Sequence, residues 1–182
     1  MLEQGLLFFS LLLTLGAYGE YFLDLSAAKI VPNRWSWLIW SATTIMEVVT
    51  FYAISDAMTA FVFLSSAVGC VGITLTIWRR AAWRAPSATE LFCVLASLAA
   101  AALWLIFRQA WWAHLIMLAA IPVSFLPTYQ GAWSDPRRED SPSWMLWTIG
   151  DGLALGYVLT RHEQARELLY ASVELSMHAG IW

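Results

Sequence analysis

The sequence predicts an all-α polytopic membrane protein, with seven transmembrane helices arranged as two parallel three-helix repeats joined by a connector helix. Three observations predict it. The composition is 60% hydrophobic and only 13% charged, whereas a soluble domain carries about 25% charged residues. Apolar segments recur at a length of about 20 residues, enough to cross a ~30 Å hydrocarbon core as helices. Finally, the phrase Ser36-Trp37-Leu38-Ile39-Trp40-Ser41 returns as Ser143-Trp144-Met145-Leu146-Trp147-Thr148. Each copy follows a charged, proline-containing loop (29–34 and 135–142) and opens a long apolar run.

The spans follow in order. The first covers about 5–23, the second 35–54, the third 58–78, the fourth 88–107, the fifth 111–130, the sixth 144–159 and the seventh 163–182. The N-terminus has no basic stretch ahead of the first apolar run, so that helix reads as retained rather than cleaved. Only the last stretch of the seventh segment is apolar, and Glu174 and His178 interrupt it. It reads either as a span or as an amphipathic helix lying on the membrane surface. The repeat divides the chain into 1–80, a connector with the fourth helix at 81–110, and 111–182. A three-helix unit repeated in the same orientation needs that extra crossing, because three is odd.

Basic residues give the orientation. Lys29, Arg34, Arg79, Arg80, Arg84, Arg137 and Arg138 fall in the loops after spans one, three and five, while Arg108, Arg161 and Arg166 fall on the opposite side. Positive charge concentrates on the cytoplasmic side. The N-terminus is therefore expected outside and the C-terminus in the cytoplasm, in a multi-pass protein of the inner membrane. Trp35, Trp37, Trp78, Trp83, Trp111, Trp112, Trp133 and Trp144 cluster at span ends, where amphipathic rings favour the interface.

Ionisable groups inside a bilayer are expensive and are functional candidates for that reason. Glu47 lies mid-span in the second segment and Asp151 in the sixth. At 3.6 residues per turn, Trp37, Trp40, Thr44 and Glu47 share one helical face. Laying the two Ser-Trp motifs over each other pairs Asp151 with Thr44, so Trp144, Trp147 and Asp151 share the equivalent face. Such stripes either line a polar cavity or hydrogen-bond between helices as packing contacts. Glu174 and His178 stand four apart and can meet on one face. They form either a proton relay, since histidine titrates near neutrality, or an internal pair. Glu20, Asp24, Glu90, Gln109 and His162 are expected at the membrane surface, and His114 near it in a hydrogen-bonded role. Cys70 and Cys93 read as small packing residues. Pro122 and Pro127 interrupt the fifth span, each removing a backbone hydrogen bond; they read as a hinge or as a static kink. Gly150, Gly152 and Gly156 offer close helix packing in the sixth span, as Gly69 and Gly72 do in the third.

Several chemistries have no footing here. No zinc-protease, P-loop or dinucleotide motif is present, and three scattered histidines make no metal or haem cage. The only lysine, Lys29, lies in a loop, which excludes a retinal Schiff base in the last span. The few basic residues make no nucleic-acid footprint. No cofactor is expected. An enzyme built on Glu174 and His178 is the least favoured reading.

The segment Leu126-Pro127-Thr128-Tyr129-Gln130, the charged loop 135–140, and then Ser141-Pro142-Ser143-Trp144 resemble the SWEET and PQ-loop superfamily of small membrane transporters. The three-plus-one-plus-three arrangement with an outside N-terminus is similar too. The resemblance implies gating roles for Pro127 and Gln130, and a substrate-facing role for Trp40, Trp147 and Asp151, with Thr44 and Glu47 on the same stripe. The expected function is a carrier of a small polar solute, in which one three-helix unit rocks against the other around a midplane site. Its partners are the lipid bilayer and that solute; self-association stays open. The alternative is a non-transporting sensor or assembly partner whose polar residues only pack helices.

Overall fold

A computed structural model describes residues 2–54, 57–107, 110–161 and 165–182, with side chains outside 50–62, 104, 108–114, 117 and 162–167. The described residues are helical, with no strand. The helices are α1 (Leu2–Ser26), α2 (Arg34–Ile54), α3 (Ala57–Arg80), α4 (Ala88–Phe107), α5 (Ala110–Ser134), α6 (Ser143–Arg161) and α7 (Ala165–Ile181), with one 3-10 turn at Pro136–Arg138. The expectations for Arg108, Gln109, His162, and the side chains of Trp111, Trp112, His114 and Arg166 lie outside the described residues.

Two of these helices, α1 and α4, are long and apolar enough to cross a membrane. Their large apolar residues point outward: Phe8, Phe9, Leu12 and Phe22 on α1, and Phe92, Leu95, Leu98 and Leu105 on α4 are all exposed. Conversely, Ser10, Thr14, Ser36, Ser41, Thr43, Thr74, Ser124 and Thr128 are buried.

The helices form two compact units, 1–30 with 140–182, and 31–139. In the first, α1 and α7 pack on α6; in the second, α3, α4 and α5 pack on α2, and α4 also packs on α5. These units differ from the blocks 1–80, 81–110 and 111–182. Each joins the first helix of one repeat to the second and third helices of the other. The cause is side-chain fit. Tyr18 and Tyr21 of α1 place their rings 5.1 and 5.6 Å from Trp147, and Phe125 of α5 lies 4.6 Å from Trp40. The register that lays Ser36 on Ser143 also lays Tyr18 on Phe125 and Trp40 on Trp147. The two units therefore repeat one aromatic contact at equivalent positions.

Within the first unit, Gly150 of α6 faces α1. A Cβ there would meet the Ser10 carbonyl oxygen and Thr14 Oγ1 at 3.4 Å, whereas Gly152 faces open space and Gly156 meets only Leu6 at 3.8 Å. Helix α1 ends on Ala28 at φ 56°. Lys29 N–H donates to the Asp24 carbonyl and Ala28 N–H to that of Leu25, closing the helix with a left-handed residue.

Asp24 and Glu90 are buried within the protein. Each is compensated, which is what lets a carboxylate leave water. Asp24 accepts from Lys29 Nζ at 2.8 Å and Ser141 Oγ at 2.9 Å, and Ser141 Oγ in turn caps α6 by accepting from Ser143 N–H. Glu90 accepts from both Arg84 terminal nitrogens, from Ser87 N–H and from Asn33 Nδ2. Ser87 and Glu90 form a capping box at the start of α4. Asn33 Oδ1 caps α2 through Trp35 and Ser36 N–H. Trp35, Trp37 and Trp144 are likewise buried among helices, whereas Trp83 and Trp133 are exposed. At the start of α6, Trp144 packs inward in a T-shaped contact with Tyr21, their centroids 5.9 Å apart.

Helix α5 runs through both prolines. Pro127 has no N–H to offer the carbonyl of Val123, four residues earlier. Cys93 Sγ supplies the missing donor at 3.1 Å. Cys93 is fully buried, so it is more than a packing residue.

Candidate functional site

In the first unit, α6 and α7 bring four of the expected site residues together. His178 Nδ1 lies 2.6 Å from Asp151 Oδ2, and His178 Nε2 lies 3.9 Å from Glu174 Oε2. The imidazole stands between two carboxyl groups, one within hydrogen-bond distance and one just beyond it. Its ring stacks on Trp147, 5.6 Å away and 21° from parallel, and Trp144 lies 5.8 Å from it. All three polar side chains are partly open: 16% exposed for His178, 19% for Asp151 and 16% for Glu174. Trp147 itself is held by Tyr18 and Tyr21 of α1, so rings from α1 and α6 together fix the position of His178.

This arrangement can hold and pass a proton. With Asp151 ionised, the bond to Nδ1 requires the proton there, and Nε2 turns toward Glu174. A second proton makes an imidazolium with a carboxylate on each side, a charge-assisted geometry. The ring then links two acids that lie on different helices.

The spacing of Glu174 and His178 predicts their proximity correctly, but the shorter contact is Asp151 to His178. The signal for it is in the sequence: Asp151 and His178 lie at comparable chain distances on either side of residues 162–164, so an antiparallel α6–α7 pair brings them to similar depth.

The other expected site residues belong to the second unit. Trp40 is buried and donates from Nε1 to Ser124 Oγ at 2.8 Å, and Ser124 donates to the Ile121 carbonyl. Thr44 donates to the Trp40 carbonyl of its own helix. Glu47 is buried at 4% exposure. Pro127 is buried and Gln130 is exposed. Ser41 and Thr74 both donate to the Trp37 carbonyl and lie 2.8 Å from each other, tying α2 to α3. In this unit the hydroxyls of Ser41, Thr44, Thr74 and Ser124 are engaged in helix contacts, whereas Ser36 Oγ and Thr128 Oγ1 are buried with no hydrogen-bond partner among the described residues.

No group of three or more His, Cys, Asp or Glu side chains is disposed to hold a metal ion among the described residues. A comparison with protein-family models, curated proteins and solved structures returned no match.

Proposed function

We propose that this chain is a small multi-pass carrier of the inner membrane, SWEET-like in its repeat, that moves a small polar solute by alternating access coupled to protons. The observation that carries this reading is the Asp151–His178–Glu174 line on α6 and α7. Titratable groups that meet among apolar helices are costly and are functional candidates for that reason, and proton relays in pumps and carriers are built from such chains. The outward apolar faces of α1 and α4 support the membrane placement. The equivalent Tyr18–Trp147 and Phe125–Trp40 contacts support an internal duplication.

A second reading, a non-transporting sensor or assembly partner, draws support from one feature. Asp151 and His178 satisfy each other directly, and the hydroxyls around Trp40 are bonded to backbone. Polar groups so paired also serve as packing contacts.

The separating experiment is solute uptake and proton flux in liposomes, with sugars, amino acids and small cations as the panel. Wild type and Asp151→Asn are run side by side across a pH gradient. The carrier reading expects pH-driven flux in the wild type that the substitution abolishes. An absence of flux for every solute, with the substitution changing only thermal stability, favours the packing reading.

A further inference from the structure

The imidazole of His178 fills a recess whose walls suit a cation. An acid stands at each end of the ring: Asp151 Oδ2 is 2.6 Å from Nδ1 and Glu174 Oε2 is 3.9 Å from Nε2. The Trp147 indole lies along its face, 5.6 Å between centroids and 21° from parallel, and Trp144 stands 5.8 Å away. Carboxylates at the edges and an aromatic face along the plane are the two features that hold an organic cation. The recess is reachable from outside the helices, because Asp151, Glu174 and His178 keep 16–19% of their side-chain surface accessible. His178 is its occupant here: once protonated, its ring is a planar monovalent cation between two carboxyl groups and against an indole.

The groups around the ring favour one sign of charge. Helix α6 contributes Asp151, and α7 contributes Glu174 together with Tyr170, which hydrogen-bonds to it. Helix α1 reaches the site through the rings of Tyr18 and Tyr21 on Trp147. Of the basic side chains described in this unit, Lys29 is paired with Asp24. Arg161 lies over Tyr157, ten residues beyond Asp151 and so about 15 Å further along α6. Among the described residues, no side chain other than His178 offers a positive group to the carboxylate or phosphate of a solute at this place. None of them forms a group able to hold a metal ion either.

We propose that the recess between Asp151 and Glu174, against Trp147, receives a small monovalent organic cation in exchange for the proton of His178. The inference rests on the carrier reading and names the class of its solute. The imidazolium gives one proton to the aqueous phase that the site faces, and the neutral ring turns away from Trp147. The cation then takes the place of the ring between the two carboxyl groups. One positive charge leaves and one enters, so the charge of the site is the same before and after. An amino acid is disfavoured, because its carboxylate would lie against Asp151 or Glu174.

The test uses the full chain in liposomes that are acidic inside, with labelled guanidinium as the probe. Guanidinium stays charged at every pH used, so it does not cross the bilayer as a neutral base. Accumulation of guanidinium is expected, blocked by tetramethylammonium and unaffected by glucose or glutamate. Calorimetric titration of guanidinium onto the protein in detergent supplies the binding readout. A proton that competes for the site weakens binding roughly tenfold for each pH unit below the titration of the ring. His178→Gln removes the competing charge and should keep guanidinium binding while making it independent of pH; Asp151→Asn should lose it. If Asp151→Asn does not fold, the pH profiles of wild type and His178→Gln decide. Proton-driven flux of glucose or glutamate without guanidinium flux would overturn the cation class and leave the carrier reading standing. Guanidinium binding that competes with protons, with no flux of any solute, would overturn the carrier reading and leave the receptor. No guanidinium binding, or wild-type binding that ignores pH, overturns the inference itself.

Discussion

His178 Nδ1 lies 2.6 Å from Asp151 Oδ2 while its other ring nitrogen faces Glu174 at 3.9 Å. One bond is formed and the other is one small movement away. His178→Gln keeps a donor for Asp151 but cannot titrate. We expect it to retain the fold and lose pH-driven flux. His178→Phe keeps the stacking on Trp147 but strands Asp151, and should lower stability by about 1–3 kcal/mol, read as thermal unfolding in detergent. Flux in His178→Gln equal to wild type would remove His178 from the proton path.

The thiol of Cys93 serves the Val123 carbonyl that Pro127 leaves without a donor. Cys93→Val keeps the shape and removes the donor, which should cost about 1 kcal/mol. Cys93→Ser keeps a donor and should stay close to wild type. Equal stability of the two variants in a thermal unfolding assay would show that the bond contributes nothing.

Ala28 closes α1 at φ 56°. A Cβ in this region costs roughly 1–2 kcal/mol, a penalty that glycine avoids. Ala28→Gly should therefore raise the unfolding temperature, an unusual sign for a substitution to glycine. A lower unfolding temperature would argue against the left-handed cap.

At Gly150 the neighbours stand at 3.4 Å from a built Cβ, ordinary contact for one methyl group and no more. Gly150→Ala should be neutral or slightly stabilising, since alanine holds a helix better by roughly 0.5–1 kcal/mol. Gly150→Leu should lose about 1–3 kcal/mol through overpacking against α1. The same pair of changes at Gly152, which faces open space, should show no such contrast.

Lys29 has its ammonium pKa raised above the ordinary 10.5, first by its hydrogen bond to Asp24 and then by the charge of that carboxylate. A raised cation stabilises the folded state fully below its unfolded pKa, and the contribution fades as pH climbs through the folded one. Wild-type stability should thus be insensitive to this pair at neutral pH and decline above about pH 10.5. Asp24→Asn should flatten that alkaline decline. A decline of the same size in both proteins would remove the pair as its cause.

Much of the fold is legible in the sequence, and for a physical reason. Length, apolarity and the Ser-Trp repeat announce seven helices because a helix satisfies its own backbone and needs only a run of suitable residues. The i,i+4 spacing of Glu174 and His178 is local in the same way. The contact between Asp151 and His178 was half-legible, through chain distance from the α6–α7 connection. Burial of Asp24 and Glu90 was not, because each depends on donors contributed by other segments, Ser141 for one and Asn33 for the other.

The sequence by itself determined the helical class, the helix boundaries to within a few residues, and which polar groups had to find partners. Only the tertiary structure decided who those partners are. It joined α1 to α6 and α7 and put α5 with α2, because Tyr18 and Phe125 fit the tryptophans of the other repeat. It also brought Cys93 to a carbonyl that the sequence marks only as orphaned. Hydropathy and periodicity describe one helix at a time; packing is a property of pairs.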